Sequence, residues 1–347
     1  MSRSTPPVPS AAPPWRAIAL AILVIVVAVA IILLLPRSGP TDPAPGSPST
    51  HPSGSPGASV VPSVSPDGSG DPSPSAPPSP TAGSAEVLVG AGDIGDCDTQ
   101  DDSGTATLFD AIEGTVFTAG DNAYRSGKVQ EFATCFDETW GRHRDRIRPA
   151  PGNHDWRTAD LAGYFGYFGA AAQGPGGTPW YAYDLGTWHV IVLDSECDKT
   201  GGCGPDSAQG QWLAADLAAS TSRCTAAIWH HPRFSSGDHG NDRDVAPFWT
   251  AMHAAGVDVV VNGHDHDYER FGPQDPDGNA DAATGIREFV VGTGGTELRP
   301  FVDTKANSEL RILDHGVLIL TLRDGGYDWE FRSTANEALD RGSGACH

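Results

Sequence analysis

The stretch Val257–Arg270, VDVVVNGHDHDYER, decides how this chain is read. Val257–Val261 is mostly β-branched and apolar, the pattern of a buried strand. The strand stops at Asn262-Gly263 and delivers His264 and His266 into a loop. Two imidazoles at i and i+2, just past the carboxyl end of a strand, can reach two metal ions from one rigid support. Histidine also sits in ordinary polar turns, so the pair gains its meaning from the other strand ends.

Four of those ends carry matching chemistry. EVLVGAGDIGDC runs into Asp93, and GTVFTAGDNAY runs into Asp121 and Tyr124. RPAPGNHDW offers Asn153 and His154, and CTAAIWHHP offers His230. Most of these loops set a glycine beside the candidate ligand. Each is by itself a common turn dipeptide or His-Pro pair; all five in order read as one metal-binding constellation. Between them the pattern predicts helices over Thr105–Glu113, Lys128–Trp140, Ser207–Ser220 and Val245–Ala255. WYAYDLGTWHVIVLDS reads as a hairpin turning near Leu185-Gly186-Thr187, and GVLILTLRDGGYDWEFRS as another with Asp-Gly-Gly at the bend. IREFVVGTGG ends a further strand in glycines. Strands alternating with helices indicate a layered α/β fold with functional loops at strand ends.

The 347 residues carry 44 acidic and 22 basic side chains, a formal charge of −22. Nothing resembles a basic stripe able to displace counterions, which excludes a nucleic-acid-binding surface. Residues 1–16 read as a short cytoplasmic N-terminus. Ala17–Leu35 is an unbroken apolar run flanked by Arg16 and Arg37, long enough to cross a hydrocarbon layer of ~30 Å. It exceeds a signal-peptide core and ends in Pro36-Arg37, so an uncleaved signal anchor is expected. Residues 36–85 are rich in Pro, Ser and Gly and lack the apolar content to fold, which predicts a disordered linker. Residues 86–347 then form the catalytic domain, expected to be held outside the cytoplasm on a single-pass cell-membrane anchor. Cysteines 97, 135, 197, 203, 224 and 346 are an even set, as disulfides would require, and CDKTGGC makes Cys197–Cys203 the nearest local pair.

The set GD, GD, GNHD, H and GHDH resembles the calcineurin-like metallophosphoesterase superfamily over most of Glu86–Gly295. Most members carry a histidine two residues after the first Asp; Gly95 stands there, while Tyr124 stands three residues after the second. That combination, with HHPRF and GHDHDYER, is similar to the purple acid phosphatase branch. The resemblance implies an α/β (α+β) fold, a four-layer αββα sandwich of two mixed β-sheets flanked by helices, with a dinuclear metal centre at one edge. Asp93, Tyr124 and His266 would then hold the first metal, Asn153, His230 and His264 the second, and Asp121 would bridge. In the branch it resembles, the ligand histidine usually stands two residues before the proline, which selects His230 over His231. Carboxylate and phenolate oxygens suit Fe³⁺; imidazoles with an amide oxygen suit Zn²⁺, Mn²⁺ or Fe²⁺.

The implied reaction is hydrolysis of a phosphate ester, a phosphomonoester first, by attack of a metal-bound hydroxide. His154 would contact the phosphate and act as general acid, with Asp155 either orienting it or only capping a turn, and His239 in FSSGDHGND would be a second substrate-facing histidine. Asp265 and Asp267 are expected to turn into loop hydrogen bonds, and Tyr268, Glu269 and Arg270 to be structural. A phosphodiesterase acting on nucleotides or lipid headgroups is the alternative enzyme. A catalytically inactive surface-binding scaffold is the remaining reading, opposed by competent side chains at all seven ligand positions.

Overall fold

The computed structural model describes residues 85–99 and 101–347. Residues 1–84, and with them the expected membrane span and nearly all of the linker, lie outside the described residues. Among the described residues, no helix is long and apolar enough to cross a membrane.

In chain order the strands are β1 (Glu86–Ala91), β2 (Thr115–Ala119), β3 (Ile147–Ala150), β4 (Tyr181–Leu185), β5 (Trp188–Val192), β6 (Cys224–Ile228) and β7 (Val259–Asn262). They continue as β8 (Tyr268–Phe271), β9 (Arg287–Val291), β10 (Ser308–Ile312), β11 (Gly316–Arg323), β12 (Gly326–Ser333) and β13 (Ala338–Ala345). One six-stranded sheet runs β13-β12-β11-β1-β2-β3, and one seven-stranded sheet runs β10-β8-β9-β7-β6-β5-β4. In the first, β1, β2 and β3 are parallel and β11 pairs antiparallel to β1. In the second, β5, β6, β7 and β9 are parallel, with antiparallel strands at both flanks. Both sheets are therefore mixed.

The valine-rich strands show no hydrophobic alternation because they are buried on both faces. Val259 and Val261 face the first sheet beside Val190, Val192, Ala226, Ile228, Phe289 and Val291. Val260, Ile191, Ala227 and Val290 face the other way, into a second core with Leu213, Phe248, Trp249 and Met252. Those last four sit on helices Ala208–Ala219 and Ala246–Ala255, which cover the outer face of the second sheet. Each fully buried aliphatic side chain contributes roughly 1.5–3 kcal/mol, so this pattern dominates the fold's stability.

The outer layer of the first sheet is incomplete. Helix Asp102–Phe109 and the turns from Phe132 to Arg146 lie over part of it. On β12 the side chains Asp328, Glu330 and Arg332 alternate with buried Tyr327, Trp329 and Phe331 and stand partly exposed. A charged face of this kind needs no helix over it.

Two expectations are corrected here. The helix expected over Lys128–Trp140 is broken into Val129–Glu131, a π-turn at Phe132–Phe136 and a 3₁₀ turn at Trp140–Arg146. Phe132, Phe136 and Trp140, spaced four apart, all remain buried across the break. The helix expected over Thr105–Glu113 spans Asp102–Phe109, where Ala106, Leu108 and Phe109 are buried. YFGYFG, given no element from sequence, lies largely in helix Ala162–Phe168.

All six cysteines are bridged, as Cys97–Cys135, Cys197–Cys203 and Cys224–Cys346. The last joins the start of β6 to the residue after β13, so it fastens one sheet to the other.

Candidate metal centre

The site sits where the two sheets meet at one edge. Asp93 follows β1, Asp121 follows β2, Asn153 follows β3, His230 follows β6, and His264 and His266 follow β7. Carboxyl ends of parallel strands aim their loops at one rim, which is why residues so distant in sequence converge. Backbone bonds lock the loops together: Gly92 N–H donates to Val291 O, Asp93 N–H to Gly120 O, and Gly263 N–H to His230 O.

The glycines have a steric reason. A Cβ on Gly152 would stand 2.3 Å from Oδ1 of Asp121, one on Gly120 2.5 Å from Nδ1 of His230, and one on Gly263 2.7 Å from Oδ2 of Asp93. The candidate ligands themselves are strained: Asp93, Asp121 and His264 adopt φ values of 60°, 48° and 34°. Left-handed backbone at non-glycine residues costs of order 1–3 kcal/mol each and clusters at functional sites.

Two donor sets form, sharing Asp121. In the first, the Tyr124 hydroxyl donates to Oδ1 of Asp93 at 2.7 Å and to Oδ2 of Asp121 at 3.0 Å. His266 Nε2 lies 3.4 Å from both Tyr124 Oη and Asp93 Oδ1. In the second, His230 Nε2 lies 3.1 Å from Asn153 Oδ1, 3.1 Å from His264 Nδ1 and 3.3 Å from Asp121 Oδ2. Ligand atoms about 2.1 Å from a metal and roughly at right angles stand about 3 Å apart, so these spacings fit coordination shells. Oδ2 of Asp93 is buried without any hydrogen-bond partner, an orphaned acceptor where a cation belongs. The backbone fixes the tautomers. Nδ1–H of His230 donates to Ala119 O and Nδ1–H of His266 to Glu297 O, which turns both Nε2 atoms inward.

The electrostatics point the same way. Burial would raise the Asp121 carboxyl, but His230, His154 and His264 together hold it well below the usual range. Burial would lower His230; Asp121 overrides it and lifts it to about 10, so a proton there supplies the positive charge that a cation would replace. Burial and the neighbouring imidazoles push His264 well down. Burial and the carboxylates of Asp121 and Asp93 push the Tyr124 phenol well above its ordinary value.

His154 and His239 flank these donors. His154 lies with its ring 4.4 Å from that of Tyr124 and its Nε2 3.8 Å from Asp121 Oδ2. The His239 ring lies 4.0 Å from that of His264. Asp155 does not orient His154: its carboxylate accepts from Asn122 N–H, the Asn122 amide and Gly152 N–H, closing the loop under Asp121. Asp265 does turn into loop hydrogen bonds, from Ser235, His239 N–H and Gly240 N–H. Asp267 does not, because both its buried oxygens lack partners; burial and nearby Asp265, Glu269 and Asp93 push its carboxyl up to about 9. Tyr268 and Arg270 bond Asp340, and Glu269 receives Ser236 and Ser308, all structural contacts.

Sequence reasoning missed three contributors. His231 packs its ring 4.4 Å from that of His264 and is held by Ser195, its Nδ1 2.8 Å from the hydroxyl. Arg157 and Arg299 reach His154 and His239. The doubled histidine at 230–231 was a visible signal; the arginines had none, since they belong to no motif.

The chain matches the calcineurin-like phosphoesterase family over residues 88–268. It is 27% identical over 246 residues to an uncharacterized protein of Mycobacterium tuberculosis strain H37Rv, covering 64% of this chain and 42% of that one. It is 30% identical over 127 residues to purple acid phosphatase 18 of Arabidopsis thaliana, covering 33% of this chain and 26% of that one. The chain thus spans less than half the length of these curated relatives. Among solved structures, purple acid phosphatase PPD1 from yellow lupin (Lupinus luteus) superposes with a TM-score of 0.64 at 21% identity, covering 76% of this chain and 54% of that one. That likeness is one of fold.

Proposed function

The chain belongs to the calcineurin-like phosphoesterase family, and from that premise we propose that it is a dinuclear-metal phosphatase of the purple acid type, hydrolysing phosphomonoesters. One observation carries the reading: seven donor side chains form two sets with Asp121 common to both, and the orphaned Oδ2 of Asp93 lies among them. Asp93, Tyr124 and His266 would hold one ion, Asn153, His230 and His264 the other, with Fe³⁺ and Zn²⁺, Mn²⁺ or Fe²⁺ the fitting pair. Such ions, when bound, supply Lewis acidity to the phosphoryl oxygens and an activated water.

The chain's own groups do the rest. Asp121 stays ionised among its histidines, so it is ready to bridge. Nδ1–H bonds to backbone carbonyls keep His230 and His266 from rotating away. His154 and His239 stand beside the donor sets, where a phosphate oxygen or leaving oxygen would lie. The apolar run at 17–35 and the Pro/Ser/Gly-rich stretch at 36–85 support an anchor and tether that hold residues 86–347 outside the cytoplasm, where three disulfides persist.

The test is metal quantification on the purified protein together with turnover of p-nitrophenyl phosphate and of bis(p-nitrophenyl) phosphate. Two metals per chain and faster monoester turnover are expected. Faster diester turnover would make it a phosphodiesterase, and two metals with neither turnover would leave a binding scaffold.

A further inference from the structure

Both histidines beside the donor sets are held in the same unusual way. Nδ1 of His154 lies 2.8 Å from the carbonyl oxygen of Arg125, and a carbonyl can only accept, so the ring proton sits on Nδ1. Nε2 therefore carries a lone pair, and a guanidinium nitrogen of Arg157 donates to it at 3.0 Å. The other terminal nitrogen of Arg157 donates to the same Arg125 carbonyl at 2.9 Å. His239 repeats the arrangement. Its Nδ1 faces the Asp265 carboxylate at 3.1 Å, and its Nε2 faces a guanidinium nitrogen of Arg299 at 3.0 Å. In both pairs the guanidinium is the donor and the ring Nε2 the acceptor.

The arginines also keep their charge available. Arg157 is exposed and has no carboxylate within ion-pair distance among the described residues. The Arg299 side chain is 39% exposed, and its carboxylate neighbour Asp238 stands 3.8 Å away and is itself mostly in water. Such a pair neutralises little. Arg125, by contrast, is committed to Asp98 and Asp96. In a chain with twice as many acidic as basic residues, two uncommitted guanidinium groups beside one donor cluster call for an anionic ligand.

We propose that Arg157 and Arg299 are the phosphoryl-binding arms of this site and set its preference for dianionic phosphate groups. Each holds a histidine Nε2 in the free protein and exchanges that bond for a charge-assisted one to a non-bridging phosphoryl oxygen when substrate arrives. A monoester or terminal phosphate offers two negative charges to the arms; a diester offers one. The inference rests on the phosphatase reading above and adds the residues that select among esters.

The test uses the full chain with Arg157→Gln, Arg299→Gln and the corresponding Lys variants. Each Gln variant should keep two metals per chain, raise KM for p-nitrophenyl phosphate about tenfold and leave KM for the bis-ester within about twofold. The affinity for inorganic phosphate, read by calorimetry, should fall by a similar factor. Lys should restore part of the loss, because it returns the charge without the planar fork. Equal losses on both esters, or unchanged phosphate affinity, would overturn the proposal. If the parent protein turned over neither ester, the function reading would fall, and phosphate affinity in the Gln variants would still decide whether the arms exist.

Discussion

In the wing formed by β11, β12 and β13, Tyr327, Trp329 and Phe331 point into the core, while Asp328, Glu330 and Arg332 point out. Phe331 stacks on Tyr268 at 4.1 Å, and Glu330 pairs with Arg332 and Arg341. At the opposite extreme, the loops after β1, β2, β3, β6 and β7 bury Asp93, Asp121, Asn122, Asp155, His230, Asp265, His266 and Asp267. They do so on strained backbone and leave Asp93 Oδ2 and both Asp267 oxygens unpaired. β12 follows the alternation that stabilises a half-exposed strand, and the loop cluster breaks several local rules at once. Rules broken together in one place mark where stability has been given up for chemistry.

The strongest way to break this comparison is Asp121→Asn. If the cluster's charges exist to hold ions, metal content should fall below one per chain and turnover by roughly 10³-fold, the loss of several kcal/mol of Lewis-acid stabilisation. The metal-free variant should unfold earlier than the metal-free parent, because buried His230 loses the carboxylate that its charge pairs with when no ion is bound. A variant that kept two metals would show that Asp121 is not shared.

The wing is broken instead through its staple. Cys224→Ser with Cys346→Ser opens a link spanning 122 residues, worth about 5 kcal/mol by loop closure. Thermal unfolding should move down by about 10 °C, while metal content and kcat at room temperature hold. Opening Cys197–Cys203, six residues apart, should cost about half as much. Equal shifts for the two pairs would mean that loop length does not govern the effect.

The same contrast explains what was legible in the sequence. β6 and β7 were readable because burial on both faces demands unbroken apolar runs; ligands follow both, and after β7 Gly263 stands where a Cβ would strike Asp93. β13, ALDRGSGA, shows no hydrophobic period because its side chains are largely exposed; pairing with β12 holds it. β10, with no fully buried residue, was missed for the same reason. Arg299 and the Glu297 carbonyl act through neighbours distant in sequence, and Arg157, three residues from His154, belongs to no motif, so no local pattern announces them.

A smaller effect sharpens the cluster's chemistry. A phenol is a poor ligand unless a strongly Lewis-acidic ion takes its proton, and the proton of Tyr124 is already shared between Asp93 and Asp121. Ferric iron meets that requirement better than Zn²⁺. The concentrated protein should therefore be violet or pink from a phenolate-to-iron absorption band. Tyr124→Phe should abolish the band and weaken the first ion by at least about tenfold, while the second site and the fold persist. Colourless, zinc-only protein with an undiminished Phe variant would assign Tyr124 to packing.

The smallest effect lies outside both regions, at His189 on β5, and it tests whether a buried charge can serve stability alone. Nε2 lies 2.8 Å from Asp216 Oδ2 on helix Ala208–Ala219, and Nδ1 lies 2.9 Å from Asp184 Oδ1 on β4. Two carboxylates facing one ring need two N–H donors, which only the imidazolium has. The hydrogen bond to Asp216 and, against burial, that to Asp184 raise His189 above its ordinary value. A raised folded-state pKa gives stability that is fully present below the unfolded value near ~6.5 and is lost as pH rises through the folded one. Asp184 is mostly in water, so the contribution is about 1 kcal/mol rather than the larger figure a dry pair would give. His189→Gln should lower the midpoint of thermal unfolding by about 2–4 °C at pH 5, and the gap should close toward about pH 9. Because the parent and variant share the metal cluster, titration of the ligands cancels in the difference. A gap that stayed constant or widened with pH would mean that His189 stabilises by packing, and that charge buried in this protein serves only the metal edge.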